Sequence, residues 1–169
     1  MSLTIEAFDP VVHDVEALTD LLHQAYAPLH RMGLHFWATT QPASLTLKRL
    51  TSGQGLVALE AGQLLGTITY YASCPDNDCR WYQRPDVGRF GQFAVHPQWQ
   101  GAGIGQRLLQ AVMQLARTDA KQELALDTSQ QAQHLRDYYQ RLGFREVDSL
   151  QWHDVNYRSV VMSKSLFPG

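Results

Sequence analysis

Neither sign of charge is abundant in this chain. Its 169 residues carry 14 Lys and Arg against 16 Asp and Glu, a formal net charge of −2. That leaves no electrostatic footprint for nucleic acid or for an anionic membrane surface. Long apolar runs are missing as well. None approaches the ~20 residues that span a bilayer, and the N-terminus has no charged-then-apolar export signal. A soluble, cytoplasmic protein is expected, with no nucleic-acid and no membrane partner. Cysteine is scarce: Cys74 and Cys79 flank Pro75-Asp76-Asn77-Asp78. Without an export signal they are expected as free thiols. A zinc site would need two more ligands, and no histidine pair sits nearby at metal spacing, so no metal is expected. There is no internal repeat and no low-complexity tract. The 44% hydrophobic composition is enough to fill one core, and a single domain over residues 1–169 is expected.

Two common phosphate-binding signatures are also lacking. No G-x-x-x-x-G-K-[ST] loop occurs, and the dinucleotide fingerprint G-x-G-x-x-G is not met, because Gln106 stands where its third glycine belongs. What is present is the run Val95-His96-Pro97-Gln98-Trp99-Gln100-Gly101-Ala102-Gly103-Ile104-Gly105-Gln106-Arg107-Leu108-Leu109. A β-rich segment ends at Val95, a proline breaks it, and glycines open an amphipathic helix. Uncrowded backbone amides at a helix start, aligned with the helix dipole, make a site for phosphate oxygens. A phosphorylated cofactor is therefore expected between residues 95 and 107.

The rest of the chain reads as alternating strands and helices. Thr4 to Phe8 predicts a short strand. After it, Asp14 is placed to cap a helix whose Val15, Leu18, Leu21, Leu22, Ala25 and Leu29 share one face. Residues 31–43 read as a loop and Ser44 to Leu50 as a shorter helix. Leu56–Glu60 and Leu64–Tyr71 around Ala61-Gly62-Gln63 predict an antiparallel hairpin. Ser73 to Asp86 reads as an irregular loop, long enough to be functional. A strand over Arg89–Val95 leads into the glycine loop, and the helix after it buries Leu108, Leu109, Val112 and Leu115 or Ala116. Glu123–Asp127 is the next strand. Thr128 with Gln131 then predicts a capping box for a helix ending at Gly143. Strand-like Phe144–Val147 and Tyr157–Ser163 close the chain.

The segment Gln100-Gly101-Ala102-Gly103-Ile104-Gly105 resembles the Q/R-x-x-G-x-G/A signature of the GCN5-related N-acetyltransferases. A second segment, Leu135-Arg136-Asp137-Tyr138-Tyr139-Gln140-Arg141-Leu142-Gly143-Phe144, is similar to the family's later motif, in which a tyrosine precedes the phenylalanine of a Gly-Phe pair by five residues. The resemblance implies a mixed α/β (α+β) fold with a GNAT-like, largely antiparallel central sheet flanked by helices. It implies acetyl-coenzyme A as co-substrate, lying in the splay between two parallel strands that end near Val95 and Asp127. It also implies an acyltransferase that moves an acetyl group to a primary amine by direct attack in a ternary complex.

Site residues follow from the same resemblance. Phe93, Ala94 and Val95 offer main-chain contacts to the acetyl carbonyl, a developing oxyanion. Gln100, Gly101, Ala102, Gly103, Ile104, Gly105 and Gln106 enclose the pyrophosphate, with Arg107 close enough to assist or simply solvated. Tyr139 matches the general acid toward the departing thiolate, since a phenol with pKa near ~10 donates a proton without ionising at neutral pH. As a residue on the stripe Leu135, Tyr138, Tyr139, Leu142 it equally suits a core. Tyr26, His35, Phe36 and Trp37 match the region that shapes the acceptor pocket, with Trp81-Tyr82 and Trp152-His153 as a candidate opposite wall. Asp127 either binds the amine or, as the favoured reading, caps the following helix.

Two positions depart from the pattern. Ala132 stands where many members carry an asparagine on the pantetheine arm. Gln92 stands in the region of the usual glutamate base and accepts no proton, which leaves His96, a carboxylate acting through water, or no base at all. These departures keep open a catalytically weak coenzyme A-binding or sensor domain as the alternative. The acceptor is a small-molecule or peptide amine, and a homodimer is a candidate because the resembled fold often pairs.

Overall fold

The computed structural model describes residues 2–167. Seven strands, β1 (Thr4–Ala7), β2 (Gln54–Glu60), β3 (Gln63–Tyr71), β4 (Val87–Val95), β5 (Glu123–Ser129), β6 (Arg145–Leu150) and β7 (Ser159–Ser165), are hydrogen-bonded in the order β1-β2-β3-β4-β5-β7-β6. Five helices join them: α1 (Val15–Arg31), α2 (Ala43–Thr51), α3 (Arg80–Gln83), α4 (Ile104–Thr118) and α5 (Gln133–Arg141). β4 and β5 run parallel, with Val87–Arg89 opposite Glu123–Ala125, while β1-β2, β2-β3, β5-β7 and β7-β6 are antiparallel. The parallel pair needs a crossover, and α4 supplies it. Contacts divide the chain into one unit of residues 1–70 and 92–112 and a second of 71–91 and 113–169.

In the first unit, the Asp14 carboxylate accepts from the Glu16 and Ala17 amides at 2.9 and 3.2 Å, starting α1 where the sequence places its cap. Leu18 of α1, Leu50 of α2 and Val57 of β2 form one buried cluster. Each such side chain is worth roughly 1.5–3 kcal/mol on burial. The β2-β3 hairpin turns on Ala61 and Gly62, both at positive φ (50° and 78°), as a two-residue primed turn requires. α4 lies close on β3 at Gly66, where an added Cβ would come within 2.9 Å of Leu108 Cδ1 and 3.0 Å of the Ala94 carbonyl oxygen. Ile104, Leu108, Leu109, Val112 and Ala116 are its buried residues, so Ala116 and not Leu115 continues the stripe.

The second unit is built around Cys79, Tyr82, Val87, Ala125 and Val161, with Trp81, Val147, Leu150 and Trp152 packed against them. Here the structure corrects two sequence expectations. The 73–86 segment is not wholly irregular: Arg80–Gln83 makes one helical turn that drives Tyr82 into this core. The capping box at Thr128 and Gln131 does not form. β5 continues through Thr128 to Ser129, the Gln131 amide donates to Ser129 Oγ at 3.1 Å, and α5 begins at Gln133 after Ala132 with no side-chain cap. Strand pairing of Thr128 and Ser129 with Val160 and Ser159 outweighs the local capping preference. α5 ends as expected, with Gly143 at φ +96° just past its last turn.

Candidate functional site

The glycine loop is organised by its own backbone. The His96 amide donates to the Leu65 carbonyl at 2.8 Å, tying the end of β4 to β3. His96 Nδ1 accepts from the Gln98 amide at 3.2 Å and caps the single turn Pro97–Trp99. Gln100 Nε2 donates to the Val95 carbonyl at 3.2 Å, so this side chain closes the loop. Gly101 and Gly103 have φ of +85° and +83°, and a Cβ at either would meet nothing within 4 Å. Backbone conformation rather than space therefore demands glycine there. The Arg107 amide makes the first return bond, to the Gly103 carbonyl at 3.2 Å. Ahead of it, the amides of residues 101–106 find no acceptor among the described residues. Gly101, Ala102, Gly103, Gln106 and Arg107 are exposed, while buried Ile104 anchors the loop. Unspent donors at the positive end of a 15-residue helix are chemically suited to receive an anion.

The strand leading into this loop carries the expected main-chain residues and one irregularity. Gln92 sits at φ +50° inside β4 and is 3% exposed. Its amide oxygen accepts from Gln41 Nε2 at 2.7 Å. Gln41 Nε2 also donates to Thr46 Oγ1 at 2.9 Å, its Oε1 accepts from Arg49 Nη1 at 2.9 Å, and Thr46 accepts from Thr19 at 2.8 Å. Arg49 is a pure donor, so it fixes the orientation of the Gln41 amide and, through it, that of Gln92. Gln92 Nε2 is left buried with no partner among the described residues. Downstream, the Phe93 carbonyl accepts from the Tyr26 hydroxyl at 3.1 Å, and Ala94 packs among Leu21, Leu22 and Ala38.

Of the residues expected at the acceptor pocket, Tyr26 and Phe36 come together, with ring centroids 5.7 Å apart. His35 is exposed and stacks on His30 at 5.7 Å. Trp37, 42% exposed, faces the Arg49 guanidinium at 5.9 Å. An open cavity of about 470 Å³ in this unit is lined elsewhere, by Val12, Asp20, Leu21, Gln24 and His96 among others.

In the second unit, Tyr139 is the buried residue of α5, at 8% exposure. Its ring meets Tyr138, Phe144 and Phe90 at centroid distances of 5.1, 5.7 and 6.1 Å. Burial pushes the neighbouring Tyr138 phenol up from its ordinary pKa. Asp127 does not cap a helix, contrary to the favoured sequence reading, since α5 begins six residues later. Its carboxylate instead accepts from the Tyr82 hydroxyl at 2.6 Å and from Trp152 Nε1 at 3.0 Å. Burial, and then the Asp127 charge, hold the Tyr82 phenol well above its usual pKa. Trp81-Tyr82 and Trp152 thus do gather at one place, whereas His153 is exposed. The guanidinium of Arg89 stacks on the rings of Tyr71 and Tyr82 at 4.4 and 5.1 Å. Sequence reasoning passed over Arg89 and Gln41. The usable signal for the first was a charge inside the apolar run of β4; Gln41, in a stretch read as loop, offered none.

The family model for the GNAT acetyltransferases matches residues 16–144. The chain belongs to the GNAT family. It is an N-acetyltransferase with acetyl-coenzyme A as donor, and its seven-stranded, largely antiparallel sheet with flanking helices is the fold that the sequence motifs imply. The chain is 29% identical over 139 residues to an S-(2-succino)cysteine N-acetyltransferase of Bacillus subtilis (strain 168), covering 79% of this chain and 80% of that one. A GNAT acetyltransferase from Elizabethkingia anophelis, solved with acetyl-CoA bound, superposes with TM-score 0.67 at 19% identity over 96% of this chain and 97% of its own. The ribosomal-protein-S18-alanine N-acetyltransferase of Escherichia coli gives TM-score 0.72 at 15% identity, covering 99% and 96%. Ala132, where the resembled motif has an asparagine, is fully buried just ahead of α5 and offers no polar side-chain atom.

Proposed function

We propose that this GNAT protein transfers the acetyl group of acetyl-coenzyme A to the primary amine of a small molecule or peptide by direct attack in a ternary complex. The observation that carries the cofactor half of this reading is the row of unspent amides over residues 101–106, presented by two glycines in the left-handed region. Gln100, Gly101, Ala102, Gly103, Ile104, Gly105 and Gln106 hold the pyrophosphate in this account. A backbone N–H within Phe93-Ala94-Val95 polarises the thioester carbonyl. The amine nitrogen attacks the carbonyl carbon, the carbon–sulfur bond breaks, and the departing thiolate takes the phenolic proton of Tyr139. The ammonium proton of the intermediate goes to solvent, because the amide of Gln92 accepts none and no side chain of β4 replaces it as base; Tyr139 regains its proton from solvent before the next turnover. The rate is then expected to follow the neutral fraction of the acceptor amine.

The acceptor to assay first is S-(2-succino)cysteine, on the strength of the Bacillus relative. The decisive variant is Tyr139→Phe, which keeps the ring packed on Phe90 and Phe144 while removing the proton. General acid catalysis is worth about 10²–10⁴-fold. The variant is expected to lose kcat on that scale and to keep its acetyl-coenzyme A affinity within about threefold. A kcat within about threefold of the parent removes Tyr139 from the mechanism. The buried amide of Gln92 and the apolar Ala132 favour one alternative, a coenzyme A-binding sensor. That reading takes over if coenzyme A binds but no amine acceptor releases it from acetyl-coenzyme A.

A further inference from the structure

Alternation along β4 puts Arg89 on the same face of the sheet as Val87, and the β4-β5 register sets it opposite Ala125. Asp127 lies two residues further along β5 on that face, paired with Val161 of β7. Arg89 is half-buried in this apolar surround. Its guanidinium carbon lies over two rings, 4.4 Å from the centroid of Tyr71 and 5.1 Å from that of Tyr82. Two cation–π contacts restrain the side chain, so it has less rotamer freedom left to lose on binding.

The guanidinium fork is also unspent. The buried Nε has no partner, and among the described residues nothing accepts a hydrogen bond from any Arg89 nitrogen or pairs with its charge. Three other arginines of this unit are ion-paired: Arg84 with Asp86 at 3.0 Å, Arg145 with Glu123 at 3.1 Å, and Arg136 with Glu146; Arg80 is exposed, so its charge is solvated where that of Arg89 is half-buried. Asp127 accepts from the Tyr82 hydroxyl and the Trp152 indole and makes no ion pair or hydrogen bond with Arg89. A half-buried guanidinium restrained by two rings and without an acceptor calls for a ligand bearing two parallel oxygens. A carboxylate has that geometry, and bidentate pairing with it is the strong form of the contact.

We infer that Arg89 is the carboxylate receptor for the acceptor, so that the enzyme selects amines that are themselves carboxylic acids, amino acids above all, over amines that lack a carboxylate. Tyr82, Trp81 and Trp152 supply an aromatic surface for the apolar part of such a molecule. The inference rests on the acetyltransferase reading above and adds the specificity to it. An anion of the same chemistry could come from the phosphates of coenzyme A, so the test includes that arm.

Two ligands are titrated calorimetrically into the protein holding coenzyme A: S-(2-succino)cysteine, and S-ethylcysteamine, which keeps the amine and thioether but has no carboxylate. Charge-assisted pairing predicts that the parent binds the first on the order of 10- to 100-fold more tightly. In Arg89→Gln that preference is expected to shrink below about threefold, while affinity for coenzyme A itself is unchanged. Arg89→Lys, which keeps charge without the fork, is expected to retain only part of the preference, and it carries the test if the glutamine variant does not fold. The inference is overturned if the parent does not discriminate, if the preference survives in both variants, or if the loss falls on coenzyme A instead. Acetyl transfer is followed in parallel. Arg89-dependent binding without transfer of the acetyl group leaves the receptor standing and removes the acceptor reading; equal transfer to both amines does the reverse.

Discussion

Replacing Gln41 by leucine should destabilise the fold through a residue that the substitution never touches covalently. Gln41 Nε2 donates to Gln92 Oε1 at 2.7 Å and to Thr46 Oγ1 at 2.9 Å, and its Oε1 accepts from Arg49 at 2.9 Å. After Gln41→Leu, Thr46 still receives the Thr19 hydroxyl, and half-exposed Arg49 turns to water. Gln92 has no such recourse. It is 3% exposed, its Nε2 is already unpartnered, and loss of the Gln41 donor orphans the whole amide. One orphaned buried acceptor plus one lost hydrogen bond costs about 2–3 kcal/mol, or a fall in Tm of roughly 4–12 °C for a chain of this length. Gln92→Leu instead removes the orphan together with its partner and leaves Gln41 its Thr46 acceptor, so it should cost under about 1 kcal/mol. The double variant should then be no less stable than Gln41→Leu alone, a coupling of about 1–2 kcal/mol. Urea unfolding reads all four states, with shifts in midpoint at constant slope. Strict additivity, or a Gln41→Leu cost below about 0.5 kcal/mol, would refute the buried-network argument.

Three further outcomes follow from single contacts. Gly66→Ala should cost about 1–3 kcal/mol in thermal melts, because its Cβ would press on Leu108 Cδ1 at 2.9 Å and on the immovable Ala94 carbonyl at 3.0 Å. A thiol reagent at mildly alkaline pH should modify one cysteine per chain quickly, with the fast phase abolished in Cys74→Ser. Cys74 is exposed, whereas burial pushes the Cys79 thiol above its ordinary pKa. The Arg84 guanidinium, hydrogen-bonded to Asp86, lowers the Asp86 carboxyl below its unfolded value of about 3.9. Its contribution is therefore complete above about pH 5 and is lost as pH falls through and below the unfolded value. With 41% of that side chain exposed, the effect stays below about 1 kcal/mol, and Asp86→Asn should flatten the acid limb of the stability curve by that amount.

How far the sequence spoke for itself depended on whether the deciding interaction was local. Asp14, the Ala61-Gly62 turn and Gly143 each act through bonds to residues a few positions away, and all were legible. The glycine loop was legible for the same reason, since its donors and its left-handed glycines form one continuous segment. Thr128 misled because the partners that hold it in β5 lie more than thirty residues downstream in β7. Asp127 misled in the same way: its hydroxyl and indole donors come from Tyr82 and Trp152, on two separate connections. The buried chain from Thr19 through Thr46 and Gln41 to Gln92 spans three elements and a loop, and no spacing rule announces it.

Cofactor binding by the loop amides is tested most directly by titrating acetyl-coenzyme A into the parent protein and into Gly103→Val. Valine has the space it needs at 103 but not the backbone, because φ there is +83°. The loop must distort to admit it, at a cost of order 1–3 kcal/mol. The parent is expected to bind in the micromolar range, about −8 kcal/mol, and the variant at least about tenfold more weakly. No binding by the parent, or equal binding by both, would contradict the assignment of residues 101–106 as the cofactor cradle.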